Sequence, residues 1–199
     1  MGRTSDARQR LIGAICDLIW ETSYSAVTID AICERAEVRK GSFYYFFDSK
    51  ADLAAHAVAA LWESQKPEVD AIFAADFPPL VRLTQYFESI YHKQKNKKGQ
   101  FGRVLGCPYF TLGAEGALDE KILHEVQKVL SCYIQYFASA IGDAQTAGEI
   151  PKGDTQARAR CVFSLYEGTM TRARIQNDVE LLRDLPGYVL QLLGARATA

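Results

Sequence analysis

The chain has 199 residues, 48% of them hydrophobic and 24% charged, which is enough to bury a sizeable core in one large or two small domains. A formal net charge of −1 excludes a protein that coats nucleic acid through a global positive field, so any nucleic-acid face must come from local segregation of charge. No run reaches the roughly 18 uncharged apolar residues of a membrane span, and the polar start Met1-Gly2-Arg3-Thr4-Ser5-Asp6 lacks a signal-peptide core, so the expectation is a cytoplasmic protein without membrane contact.

Ser5 to Thr22 reads as one amphipathic helix. A short helix then starts at Thr28, whose hydroxyl can accept a first-turn amide, and buries Ile29, Ile32 and Cys33 on one face. A turn at Ala36-Glu37-Val38 leads into a second short helix near Arg39-Lys40-Gly41-Ser42, with Phe43, Phe46 and Phe47 on its buried side. Such a pair presents the first turn of its second helix outward, as a major-groove reader does.

In that reading Arg39 or Lys40 bonds a guanine edge, Ser42 meets a base or a phosphate, and Gly41 allows close approach to DNA. Thr28, Tyr44, Tyr45 and Lys50 complete the candidate DNA-binding set. Residues 1–50 balance seven cations (Arg3, Arg8, Arg10, Arg35, Arg39, Lys40, Lys50) against seven anions (Asp6, Asp17, Glu21, Asp30, Glu34, Glu37, Asp48), so a single copy makes few phosphate contacts. Two readers about 34 to 36 Å apart would instead read a palindrome together.

The run Lys40-Gly41-Ser42-Phe43-Tyr44-Tyr45-Phe46-Phe47-Asp48-Ser49-Lys50-Ala51-Asp52-Leu53, after Tyr24-Ser25-Ala26-Val27-Thr28-Ile29, resembles the N-terminal domain of the TetR family of one-component transcriptional regulators. The resemblance implies a three-helix helix-turn-helix domain over residues 1–48 and a ligand-binding and dimerisation domain over 49–199. It further implies a homodimer through the last two helices on an inverted-repeat double-stranded operator, acting as a repressor and released by a small molecule of unknown identity. Three positions depart from the family pattern: Ser23 and Glu37 stand where glycine is common, and Arg39 where Ser or Thr often caps. A non-glycine residue in a left-handed turn costs about 1 kcal/mol, and a missing cap about as much.

The remainder reads as helix, making the chain all-α. Ser49 and Asp52 form a capping box for a helix from Lys50 that Pro67 kinks or interrupts. After a break over 74–79, a helix from Leu80 to about Lys95 carries Leu83, Tyr86, Phe87, Ile90 and Tyr91 on one side. Gly99, Gly102, Gly106, Gly113 and Gly116, with Pro108, predict an irregular, mobile hinge. Long helices follow over 119–145 and 155–176, and a last one over about 180–194 bends near Pro186. Ala159, Val162, Phe163, Tyr166, Met170 and Ala173 make one apolar face and Val189, Leu190, Leu192 and Leu193 another, either intramolecular core or dimer seam, and the family resemblance favours the seam.

Tyr86, Tyr91, Arg103, Cys107, Tyr109, Tyr133, Tyr136, Tyr166, Glu167 and Met170 are the candidate ligand pocket, a mostly apolar set with a few polar anchors. Glu167 sits in an apolar stretch, where a carboxylate either meets a ligand's cationic or hydroxyl group or pairs with Arg103 or Arg172; the internal pair is favoured. Cys107, next to Pro108 and near Arg103, is the one cysteine of five that reads as a candidate redox or electrophile sensor. The basic run His92, Lys93, Lys95, Lys97, Lys98 and Arg103 reads as solvated loop. No catalytic constellation, metal spacing or phosphate-cradling glycine loop is present, so the expectation is no enzyme, no cofactor and no metal; a helical interaction module without DNA binding is the competing class.

Overall fold

A computed structural model describes residues 2–115 and 119–195, with side chains from residue 6 onward; Gly116 of the expected hinge lies outside the described residues. Every regular element among them is helical: α1 Gly2–Glu21, α2 Ile29–Arg35, α3 Lys40–Phe46, α4 Lys50–Ile72, α5 Pro79–Phe101, α6 Pro108–Glu115, α7 Glu120–Thr146, α8 Thr155–Gln176 and α9 Leu185–Leu193, with a 3₁₀ turn Val179–Leu182 before α9. The chain packs as two compact units, Met1–Gln65 with Pro108–Val129 and Lys66–Cys107 with Leu130–Ala199, so α4 and α7 contribute to both. No helix among the described residues is long and apolar enough to cross a membrane.

In the first unit α1, α2 and α3 close on Leu11, Ile15, Ile32, Phe43 and Phe47, all essentially inaccessible to water. Phe46 is half-buried rather than core. Pro67 neither ends nor interrupts α4, which continues to Ile72; a proline removes one intrahelical bond, and a helix packed along its length tolerates that loss.

In the second unit the aromatic side chains of α5, α7 and α8 form the core, with Phe87 and Phe137 fully buried. The α8 stripe expected at the dimer seam, Ala159, Val162, Phe163, Tyr166, Met170 and Ala173, is buried within this single chain, so it is intramolecular core. The outward apolar residues of the last two helices are Ile175, Tyr188 and Leu192. Pro186 stands in the first turn of α9, where its missing N–H has no helical partner to lose, and so it starts that helix rather than bending a longer one.

The glycine-rich segment departs most from expectation. α5 runs on to Phe101 and stops at Gly102 in the left-handed conformation, and the following loop is tied down rather than mobile. Val104 N donates to Asn177 Oδ1 at 2.9 Å, Asn177 Nδ2 donates to Gly102 O at 3.2 Å, and Gly106 exchanges bonds with the Gln94 amide. Side-chain partners replace the helical ladder there, and sequence periodicity carries no trace of them.

The break between α4 and α5 is held in the same way by Arg82, which is buried. Its guanidinium donates to Phe77 O at 2.8 Å, to Ala75 O at 3.0 Å and to Asp143 Oδ2 at 2.6 Å. Replacing Arg82 by Leu leaves those two carbonyls without their donor, and urea unfolding is expected to show a loss of about 2–3 kcal/mol. A variant as stable as the parent would remove Arg82 from this role.

Candidate DNA-reading helix and effector pocket

The DNA-reading candidates fall on α2 and α3. Thr28 caps α2, its hydroxyl accepting Ala31 N–H at 3.1 Å. Glu37 takes the left-handed conformation with φ of 53°, the strained turn that its departure from glycine predicts. The corner closes through Val38 N–H to Cys33 O at 3.0 Å.

Arg39 occupies the cap position of α3 with no side-chain cap bond, which leaves its guanidinium exposed at the start of the helix. Lys40 is also exposed and pairs with Asp30 at 2.7 Å. A side chain built at Gly41 would meet nothing within 4 Å, so this face is open. Tyr44 and Tyr45 lie beside it, 55% and 74% exposed, while Phe43 and Phe47 turn inward.

Lys50 does not join them. Its ammonium donates to Tyr24 O at 2.9 Å and Val27 O at 2.8 Å, and lies 4.3 Å from the Tyr24 ring centroid. Burial lowers its pKa. The expected phosphate contact is therefore corrected to a tie between α4 and the corner before α2. Next to it, Asp52 N–H donates to Ser49 Oγ at 3.0 Å, as the capping box predicts, but the Asp52 carboxylate accepts Asp48 N–H at 3.1 Å, one residue earlier than the reciprocal bond of a capping box.

The expected pocket residues separate into three groups. Tyr86, Cys107, Tyr133, Tyr166, Glu167 and Met170 are buried in the second unit. Tyr166 hydrogen-bonds Tyr86, which in turn hydrogen-bonds Tyr133, and the Tyr86 ring centroid lies 5.9 Å from Tyr133 and 6.2 Å from Tyr166. Tyr91 and Tyr136 are instead committed elsewhere: the Tyr91 hydroxyl meets Glu180, Lys95 and Arg183, each at 3.3 Å, and Tyr136 donates to Asp70. Tyr109 belongs to the first unit, where it donates to Gln65 Oε1 at 2.9 Å, and Arg103 is exposed.

Glu167 is 3% exposed, and neither carboxylate oxygen has a nitrogen or oxygen donor. Arg103 and Arg172 are both exposed, so the expected internal ion pair is not formed. Burial pushes the carboxyl up to about 7, and the Cys107 thiol beside it draws it back.

Two further members escaped sequence reasoning. Lys97, expected in a solvated loop, lies on α5 near Cys107; burial lowers it to about 8, and the cysteine's charge opposes that shift. Gln94 is buried and clamps Gly106, with Nε2 donating to Gly106 O at 3.0 Å and Oε1 accepting Gly106 N–H at 3.2 Å. An inward face on α5 reaching as far as residue 97 was the only sequence signal, and the neighbouring lysines masked it.

Residues 11–57 match the family model described as bacterial regulatory proteins, tetR family. The transcriptional regulator AcuR of Cereibacter sphaeroides is 32% identical, over 85% of this chain and 77% of that protein. The HTH-type transcriptional repressor NemR of Escherichia coli is 24% identical over 96% of both chains. A crystal structure of a TetR regulatory protein from Rhodobacter sphaeroides is 28% identical, covers 94% of this chain and 98% of that one, and superposes with a TM-score of 0.81.

A buried carboxyl raised from its ordinary 4.5 to about 7 favours the folded state only while it is protonated. The unfolded chain ionises first, so this stability is present below about pH 4.5 and is lost as the pH rises to about 7. Glu167→Gln is expected to remove that loss, leaving the variant up to about 3 kcal/mol more stable than the parent above pH 7. Chemical denaturation at pH 5 and pH 8 checks it, and an equal gain at both values would assign the effect to something other than ionisation.

Proposed function

Because the chain belongs to the TetR family of bacterial regulatory proteins, we propose that it is a transcriptional repressor that binds an inverted-repeat operator as a homodimer and leaves it when a small molecule occupies the tyrosine-lined interior of the second unit. The observation that carries this reading is the exposed first turn of α3, where Arg39, Lys40, Gly41 and Ser42 stand over a core sealed by Phe43 and Phe47. Arg39 and Lys40 supply charge to guanine edges or phosphates, and Tyr44 and Tyr45 extend the contact along the backbone. The repressor role follows the naming of the relative NemR.

Dimerisation uses the outward faces of α8 and α9 in this proposal, where Ile175 is 77% exposed and Tyr188 and Leu192 about half exposed. Two readers then share the phosphate contacts that the balanced charge of one copy cannot provide. An effector that favours a conformer with a different spacing of the two α3 helices weakens DNA binding, and operator DNA must weaken effector binding by the same factor.

A second reading has its own observation: Cys107 is buried beside Glu167 and Lys97, an environment that bears on thiol ionisation. In that reading the effector is a thiol-reactive molecule that modifies Cys107, and Cys107→Ser abolishes the response.

Fluorescence anisotropy with the DNA upstream of the protein's own gene, measured across a salt series, tests the DNA-reading assignment. Arg39→Ala and Lys40→Ala are each expected to lower the salt slope by about one, whereas Lys50→Met leaves the slope unchanged while lowering thermal stability. Footprinting is expected to protect two symmetric half-sites about one DNA turn apart. Protection of a single half-site by a monomer would refute the dimeric model.

A further inference from the structure

Several cations among residues 1–50 are held by partners within the chain. Arg35 holds Glu21 through two hydrogen bonds of 2.8 and 2.7 Å, Arg10 lies 3.4 Å from Asp6, and Lys50 faces the Tyr24 and Val27 carbonyls. Lys40 differs in where its partner stands. Asp30, in the first turn of α2, meets the Lys40 ammonium in the first turn of α3 at 2.7 Å, and both side chains are more than half exposed.

A carboxylate beside the turn that carries Arg39, Lys40 and Gly41 works against DNA binding, because it faces a polyanion when that turn docks. The start of α2 does not need it as a cap, since Thr28 already supplies the side-chain acceptor for Ala31 N–H at 3.1 Å. The helix dipole favours an acid in this turn, but that does not require the acid to meet Lys40.

The pair is also suited to exchange. It has one contact where Arg35 and Glu21 have two in parallel, and an exposed, singly bonded pair is weakly held. A solvated phosphate offers the ammonium little that Asp30 does not already give. A guanine edge offers O6 and N7 together inside the groove, and that contact discriminates between bases.

We propose that Asp30 is a specificity-determining residue, which keeps the Lys40 ammonium from the phosphates of unrelated DNA and yields it only to a guanine edge in the operator. This rests on the DNA-reading assignment of α3. On an unrelated duplex the pair stays closed, Lys40 adds no phosphate contact, and binding that is already weak gains nothing from it. On the operator the pair opens and the Lys40 charge passes to the DNA.

The test is fluorescence anisotropy of the full-length protein across a salt series, on the duplex upstream of its own gene and on a scrambled duplex of the same composition. Lys40→Ala is expected to lower the salt slope by about one on the upstream duplex and to leave it unchanged on the scrambled one. Asp30→Asn keeps the side-chain size and removes the charge. It should raise affinity for the scrambled duplex about tenfold at about 0.1 M salt and steepen that slope by about one, while affinity for the upstream duplex rises by less than about threefold. In the Asp30→Asn background, Lys40→Ala should then lower the scrambled-duplex slope by about one as well. Asp30→Ser carries the same test if the Asn variant does not fold. Glu34→Gln removes an exposed carboxylate from the same helix and should leave the scrambled-duplex slope as it is in the parent. An unchanged scrambled-duplex slope in the folded Asp30 variant, or an equal steepening by Glu34→Gln, would overturn the role of Asp30 and leave the DNA-reading assignment standing. A parent that binds both duplexes alike would overturn that assignment and this inference with it.

Discussion

Backbone groups left unpaired where a helix stops must find partners, and in an all-helical chain that requirement decides how the breaks are built. Among the described residues, three breaks are closed by polar side chains reaching back to main-chain groups. Lys50 holds the carbonyls of Tyr24 and Val27, Arg82 those of Ala75 and Phe77, and Gln94 both polar groups of Gly106. Asn177, itself in the left-handed conformation, serves Gly102 and Val104. Apolar stripes put the helices together, but these four residues set where the non-helical backbone lies, and two of the breaks they fix border the candidate sites.

Glu167 stands against that rule. The Cys107 thiol lies beside it, and the nearby phenols bond to one another rather than to it. The hydroxyl chain from Tyr166 through Tyr86 to Tyr133 satisfies its own members and leaves the carboxyl aside. A group that costs stability when ionised, and that sits next to a thiol, is the kind of local inconsistency found where function rather than folding sets the residue.

Much of the fold was legible because it rests on helical periodicity and local capping. Thr28 as a cap, the left-handed turn at Glu37, α8 over Thr155–Gln176 and the core role of Phe43 and Phe47 all follow from side chains within four residues of one another. What was not legible depends on partners far along the chain. Lys50 reads as a surface cation until the Tyr24 and Val27 carbonyls, 26 and 23 residues away, are placed against it. Lys97 is half-buried within a run of lysines of which Lys95 faces water, and Tyr91 and Tyr136 resemble Tyr86 in sequence while their hydroxyls find charged partners. The glycines after residue 99 signal freedom in the unfolded chain, but the folded loop spends that freedom on left-handed turns at Gly102 and Gly106.

The same long-range ties bear on the proposed coupling between effector and DNA binding. Cys107 is followed directly by Pro108, the first residue of α6, and α6 ends at Glu115, whose carboxylate accepts the Tyr24 N–H at 2.7 Å. Tyr24 in turn supplies a carbonyl to Lys50, and α7 adds Lys121, which pairs with Asp52 at 2.9 Å and lies 3.8 Å from Asp48. The corner before α2 and the end of α3 are therefore held by residues that follow Cys107 in the chain. A coupling of 1–3 kcal/mol, typical of such linkages, corresponds to the strength of one or two charge-assisted hydrogen bonds of this kind. In the proposed dimer, whose copies each carry nearly balanced charge over residues 1–50, neither half-site would hold DNA strongly alone, so loosening one such tie in each copy is the perturbation that the proposed release requires.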